Sequence, residues 1–323
     1  MRTSNLNILA FETSCDDTAV AIVKNGREVL SSSVFSQIKT HIEYGGVVPE
    51  IAARSHLNNI FQVTKQTFES SNLKLEDINL VAVTCEPGLL SSLLVGINFA
   101  EGFALSRDLE LIPVNHLKGH VASLYISNKN LEPPFLCLIV SGGHTQIVEV
   151  KNYVNIKILG QTRDDAAGEI FDKVTRKLGL DYPGGTHIDE IADNGIDNFY
   201  KFPRPKLQKY DFSFSGIKTH TLNLINNLKS ELIIENLLAS FRKSVVDYLI
   251  FNLTKAAQDL NYRKIAISGG VSANKLLRET LELECKKRNW EYFKPELKYS
   301  GDNAAMIGSQ AYYEYLNKIK KVK

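Results

Sequence analysis

The same order of elements recurs twice along the chain, and this repetition limits the possible fold more than any single motif. Near the start, the apolar run Ile8 to Phe11 ends in the polar connection Glu12-Thr13-Ser14-Cys15-Asp16-Asp17. Thr18 to Val23 then reads as a second strand and Val29 to Phe35 as a third. A helix follows from Pro49, a residue suited to a first helical turn, with Ile51, Leu57, Ile60, Phe61, Val63 and Phe68 as its apolar side. The second half restarts with Phe135 to Val140, the turn Ser141-Gly142-Gly143-His144-Thr145, the strand Gln146 to Val150 and a third strand over Asn155 to Gln161. The letters differ but the organisation matches, so an ancient duplication is expected. Ile78 to Thr84, Leu111 to Val114 and Lys264 to Ser268 read as further strands, and Ile233 to Leu260 as a scaffold helix.

Length and composition narrow the class. With 323 residues the chain exceeds one ordinary core and suits two domains. Apolar content of 44% with 23% charged residues excludes a disordered chain. A net charge of +2 announces no overall basic field for nucleic acid or membrane, and leaves room for a local basic patch. Cys15, Cys85, Cys137 and Cys285 are scattered without a Cys-x-x-Cys pair, which fits a reducing, cytoplasmic setting. The start, Met1 to Asn5, reads as running straight into a strand, with no signal peptide expected. The longest apolar run, Gly88 to Leu105, is broken by Ser91, Ser92, Asn98 and Glu101 and reads as a buried helix, not a membrane span. Gly96 and Gly102 inside it each cost about 1 kcal/mol, for which close packing is the usual compensation.

Chemistry concentrates at four places. His116 and His120 are four apart, so on a helix they lie on one face and can aim two imidazoles at one point. Taken alone, the pair reads more readily as two solvated histidines on a surface helix, and the glycine-rich segments elsewhere in the chain overturn that reading. Asp302, in Ser300-Gly301-Asp302-Asn303-Ala304, reads as a helix N-cap and also as the missing carboxylate. Two His and one Asp with open positions can hold Fe(II) or Zn(II). Ser141-Gly142-Gly143 lets backbone approach a ligand and can turn amides toward phosphate. Gly269-Gly270-Val271-Ser272-Ala273-Asn274 reads as a strand-turn-helix suited to a nucleotide. The Asp211 to Lys218 stretch reads mainly as core packing with a turn. No Gly-x-x-x-x-Gly-Lys-[Ser/Thr] occurs, so a P-loop enzyme is out.

These features suggest an α/β, duplicated actin-like and hexokinase-like (ASKHA) ATPase architecture of two ribonuclease-H-like domains with a cleft between them. The expected division is 1–114 plus 303–323 against 115–302. The motifs Glu12-Thr13-Ser14-Cys15-Asp16, Tyr44-Gly45-Gly46-Val47-Val48-Pro49-Glu50, His116-x-x-Gly-His120 and Val140-Ser141-Gly142-Gly143-His144-Thr145 occur in order with several others. The others are Asp165-Ala166-Ala167-Gly168-Glu169, Asp172-Lys173, Tyr182-Pro183-Gly184-Gly185, Phe212-Ser213-Phe214-Ser215-Gly216, Gly269 to Asn274 and Asp302 to Ile307. Together, over nearly the whole chain, they closely resemble the TsaD family of tRNA threonylcarbamoyladenosine transferases.

The resemblance implies transfer of the threonylcarbamoyl group of threonylcarbamoyl-AMP to N6 of the adenosine beside the anticodon, in tRNAs reading codons that begin with A. It implies that His116, His120 and Asp302 hold one divalent metal, iron with zinc as the alternative. It also implies that Ile139, Val140, Ser141, Gly142 and Gly143 contact the donor, with Asp172, Gly185, Asp189 and Asn274 around its nucleotide. Glu12 is the candidate acid for proton removal. Implied partners are tRNA and TsaB-like and TsaE-like proteins, with no membrane, in the cytoplasm or an organelle. Lys39, His41, Arg54 and Lys118 could supply a local track for tRNA phosphates. Lys118, Glu86, Ser300-Gly301 and Thr186 depart from the family's usual letters without removing a ligand, and Lys118 reverses a charge beside the histidines. A kinase-like ATPase of the same fold gives the metal triad no role. A silent scaffold paralogue would be expected to lose the triad. A metalloprotease lacks its His-Glu-x-x-His.

Overall fold

A computed structural model describes residues 5–205 and 207–322. The start, Met1 to Ser4, therefore lies outside the described residues. The chain divides into two compact units. Unit 1 comprises Met1–Pro133, Lys151–Ile156 and Pro295–Lys323; unit 2 comprises Pro134–Val150 and Lys157–Lys294.

Unit 1 is built on β1 (Asn7–Glu12), β2 (Asp17–Lys24), β3 (Glu28–Ser36), β4 (Leu80–Glu86) and β5 (Glu110–Asn115), in the order β3-β2-β1-β4-β5. Its helices are α1 (Ile38–Ile42), α2 (Pro49–Ser71), α3 (Leu90–Ser106), α4 (His116–Ser127) and α10 (Ala304–Val322). The central strand β1 runs antiparallel to β2, with Ala10 opposite Ala21, and parallel to β4, with Ala10 opposite Ala82. Alternation along β1 feeds two cores. Ile8 and Ala10 pack with Ala305, Met306 and Ile307 of α10, and Leu9 and Phe11 pack with Ile60 and Val63 of α2 and Ala100 of α3. Burial on both faces explains why β1 reads as a continuous apolar run.

Unit 2 contains β6 (Phe135–Val140), β7 (Thr145–Val150), β8 (Ile156–Gln161), β9 (Lys264–Ser268) and β10 (Glu291–Phe293). Their order, β8-β7-β6-β9-β10, repeats that of unit 1 strand for strand, with β6 again antiparallel to its hairpin partner and parallel to the next strand inward. The duplication expected from organisation is thus present as topology. The helices are α5 (Ala167–Lys177), α6 (Gly184–Ala192), α7 (Ser215–Leu228), α8 (Ile234–Asp259) and α9 (Lys275–Arg288). Leu136, Leu138 and Val140 pack against Ile170 and Phe171 of α5 and Phe241 and Val245 of α8. Phe212 and Phe214 are fully buried, as the core-packing reading of that stretch expects.

Four expectations need correction. Residues 115–133 and 295–302 belong with unit 1, so the expected division at 115 and 302 shifts to 134 and 294. The cause is that Ile126 of α4 and Tyr299 share the apolar cluster of α10 and the first sheet. The cap of α10 is Asn303, whose Oδ1 accepts from Met306 N at 3.0 Å, and this leaves the Asp302 carboxylate free for other work. Helix α3 is buried only along one stripe, through Leu93, Gly96, Ala100 and Ala104, while Leu90, Leu94 and Leu105 are exposed. Close packing accounts for Gly96, where an added Cβ would stand 2.3 Å from Thr13 Oγ1, but Gly102 is exposed with nothing near it.

Candidate functional sites

Helix α4 begins at His116 because Asn115 caps it, accepting from Leu117 N at 3.0 Å and Lys118 N at 3.2 Å. The cap fixes the first turn, so His116 and His120 project from one face with their rings 4.6 Å apart. Asp302 comes from the turn before α10. Its Oδ1 lies 3.5 Å from His116 Nε2 and 3.2 Å from His120 Nε2. The ligand atoms of the three residues all fall within 4.8 Å of one another. His120 is fully buried, and neither of its ring nitrogens has a hydrogen-bond partner. A buried imidazole that lacks hydrogen bonds and faces a carboxylate fits a metal ligand better than a core histidine.

Behind this triad sits Glu12 at the end of β1, with no solvent exposure. It accepts from Ser14 N at 2.6 Å and from Thr84 Oγ1 at 2.5 Å, and its Oε2 lies 3.0 Å from His116 Nδ1. A carboxylate on Nδ1 leaves Nε2 as the free lone pair facing Asp302 and His120. Burial pushes His116 down, but Asp302 and Glu12 outweigh it and hold the imidazole well above its ordinary value. Burial pushes Asp302 up, and His116 and His120 reverse this, leaving it well below the carboxylate range. Glu12 behaves similarly: burial raises it and His116 brings it below its ordinary value. Lys118 does not disturb this balance, since its Nζ pairs with Glu314 at 2.9 Å on α10.

Unit 2 holds a separate site. A cavity of about 480 Å³ is lined by Gly142, Asp172, Gly185, Asp189 and Asn274, five of the nine residues expected to contact the donor and its nucleotide. Ile139 and Val140 instead lie buried within β6, while Ser141 and Gly143 belong to the turn and do not line the cavity. Asp172 Oδ1 accepts from Gly184 N at 2.7 Å, tying α5 to the start of α6. Gly269 follows β9 with φ +89°, where an added Cβ would stand 2.4 Å from Val140 O, so only glycine lets the chain pass. A single turn over Gly270–Ala273 then lines the cavity, and α9 follows from Lys275, capped by Asn274. Phe171 and Glu190 also line it. They went unread because one fits the apolar stripe of α5 and the other an ordinary surface acid. The proposed tRNA track is reduced: His41 is fully buried and Lys118 is paired, leaving Lys39 and Arg54 exposed.

Duplicated five-stranded sheets define an actin-like, hexokinase-like α/β protein, with a His-His-Asp cluster that could hold a metal in one unit and a glycine-walled cavity in the other. Known structures share this architecture. HypF from T. kodakarensis matches with a TM-score of 0.67 at 15% identity, over 98% of this chain and 48% of that one. Component A of the Acidaminococcus fermentans (R)-2-hydroxyglutaryl-CoA dehydratase matches with a TM-score of 0.57 at 16% identity, over 96% and 99%. The model of the TsaD family, tRNA N6-adenosine threonylcarbamoyltransferase, matches residues 28–309. The chain belongs to this family. A tRNA N6-adenosine threonylcarbamoyltransferase of Clostridium botulinum strain Hall is 50% identical over 97% of this chain and 93% of its own length. One of Clostridioides difficile strain 630 is 46% identical over 97% and 94%.

Proposed function

We propose that the chain carries out the reaction its family is named for, moving a threonylcarbamoyl group from threonylcarbamoyl-AMP to N6 of the adenosine beside the anticodon of tRNA. The N6 amine attacks the carbamoyl carbonyl carbon, a C–N bond forms, the bond from that carbon to the phosphate oxygen breaks, and AMP leaves with its electron pair. A proton is lost from N6. The observation that carries this reading is the convergence of His116, His120 and Asp302 within 4.8 Å in a chain of this family. A silent paralogue has no use for the cluster, and an ATPase of the same fold leaves it without a role. The three residues would hold one divalent ion, iron(II) or zinc(II), which when bound supplies Lewis-acid stabilisation of charge developing on the carbamoyl or phosphate group. The donor's adenylate half would occupy the unit 2 cavity, beside Asp172 of α5, Gly185 and Asp189 of α6 and Asn274 at the cap of α9. The reading fails if purified protein given donor, metal and its partners yields no threonylcarbamoyladenosine on nucleoside analysis of tRNA.

Glu12, the candidate acid for proton removal, is better suited to positioning His116. Its oxygens already accept from Ser14, Thr84 and His116, and it has no path to solvent. Glu12→Gln keeps the volume and loses the charge that orients Nδ1. Such changes weaken metal affinity by about 10- to 100-fold. The loss should be largest near neutral pH and narrow as pH falls, because Glu12 also favours the protonated imidazole and the variant therefore suffers less from a proton competing for His116. Metal titration of the variant across pH checks this; wild-type affinity throughout would rule the role out.

Partners follow from surface composition. Among described residues no helix is long and apolar enough to cross a membrane. Yet Leu57 and Phe61 stand 67% and 63% exposed on α2, and Leu90 and Leu94 are exposed on α3, whose buried faces share one core. Such a surface suits a related, TsaB-like subunit, with a TsaE-like protein joining the cytoplasmic complex. With only +2 net charge, the chain alone should bind tRNA weakly. The expected result is modification that needs the partner and falls steeply with salt, as counterion release requires. Full multiple-turnover activity of the isolated chain, insensitive to salt, would contradict it.

A further inference from the structure

Arg242 sits on α8, within the apolar stripe that packs the second core, and only 6% of its surface reaches solvent. A buried guanidinium is costly unless its donors are matched. Here both Nη groups are matched to α6, while Nε is left without a partner among the described residues: Nη1 donates to Asp189 O at 3.2 Å and to Asp189 Oδ1 at 3.1 Å, and Nη2 donates to Asp193 Oδ1 at 2.9 Å. Asp189 is also tied to the opposite wall of the cavity. Asn274 Nδ2 donates to its Oδ1 at 2.5 Å, and Lys275 N donates to its Oδ2 at 3.2 Å. Lys275 Nζ reaches Asp193 Oδ2 at 3.1 Å. Two helices and the capped start of a third are therefore joined through the Asp189 carboxylate, and Asp189 and Asn274 both line the cavity.

We propose that Arg242 is a positioning residue for the nucleotide cavity, holding the Asp189 carboxylate so that it grips Asn274 and keeps a lone pair for a ligand hydroxyl. An ionised carboxylate offers about four acceptor positions. Arg242, Asn274 and Lys275 N occupy three of them, and the remaining one, on Oδ2, serves the ligand. Without the guanidinium, the half-buried carboxylate lies beside Asp193 with no cation of its own. Burial already pushes Asp189 above its ordinary value despite Arg242, so loss of the cation drives it further toward the neutral acid. A neutral carboxyl holds Asn274 and a ligand hydroxyl less well. The proposal rests on reading this cavity as the adenylate pocket.

The test is calorimetric binding of AMP to the full chain as wild type, Arg242→Met, Asp189→Asn and the double variant. Arg242→Met should weaken AMP by about tenfold, and the double variant should bind no more weakly than Asp189→Asn alone, since the two residues act as one unit. The affinity of Arg242→Met should also fall toward acid pH more steeply than that of wild type, a dependence that simple loss of packing does not create. Wild-type affinity in Arg242→Met, or additive losses in the double variant, would overturn the proposal. Arg242→Lys, run in parallel, keeps the charge but cannot span both aspartates. If the methionine variant does not fold, the lysine variant carries the test. It should weaken AMP by about threefold, with no added loss on Asp189→Asn, and unchanged affinity would again overturn the role. Failure of the wild type itself to bind AMP would sink the pocket reading and this proposal with it. Binding by the wild type with no effect of Arg242 would sink this proposal alone.

Discussion

His120→Ala is expected to purify without bound metal and to lose transferase activity by at least about 10²- to 10³-fold, the scale on which removing a group that stabilises developing charge is felt. The imidazole is one of three side chains whose donor atoms come within 4.8 Å of one another, and two ligands rarely hold a divalent ion. The fold should survive. The ring makes no hydrogen bond that holds α4 in place, and the helix is anchored elsewhere by the Asn115 cap and by Ile126 in the core of unit 1. Removing a buried side chain of this size costs about 1–3 kcal/mol, within the margin of a stable domain. Elemental analysis, circular dichroism and the tRNA nucleoside assay on one preparation separate the outcomes. Full metal occupancy in a folded His120→Ala protein would show that the three residues are not the site.

Which features were legible in the sequence depends on how local their causes are. The repeated sheet was readable because β1 and β6 are buried on both faces and therefore appear as short apolar runs, each followed by a polar turn. The His116 and His120 pair was readable because helical spacing alone puts them on one face. Asp302 was visible as a carboxylate, but its release from capping depended on Asn303 doing that work one residue later. The domain division was misplaced because α4 joins unit 1 through contacts with α10, almost two hundred residues away in sequence. Among the strands, β10 is only three residues long at a sheet edge and left no periodic signal. Arg242 was hidden inside a scaffold helix, since its neighbours Phe241, Val245 and Leu249 carry a regular apolar stripe and nothing local marks a cation as buried. Glu12 drew notice as an acid in a polar turn, but its saturation by Ser14, Thr84 and His116 required the fold to bring residues 72 and 104 positions away onto one carboxylate.

Gly142→Val should weaken AMP and donor binding by at least about tenfold, close to 1.4 kcal/mol, while leaving stability nearly unchanged. Gly142 and Gly143 are neighbouring glycines that differ in what they face. An added Cβ meets no protein atom within 4 Å at either Gly142 or Gly143. Neither has a positive φ, so valine is not strained by the backbone at either position. Gly142 lines the cavity of unit 2 and Gly143 does not. The branched side chain at 142 therefore has one thing to strike, the molecule that occupies the cavity, and replacing glycine also removes some freedom from the unfolded chain. Gly143→Val serves as the matched control, with the same substitution in the same turn and no effect expected on affinity. Calorimetry with AMP on both variants, beside their thermal midpoints, reads the difference directly. Equal affinities for the wild type and Gly142→Val, with both folded, would mean that the adenylate lies elsewhere. A loss shared equally by both variants would mean that the turn as a whole, and not its approach to a ligand, is what the glycines preserve.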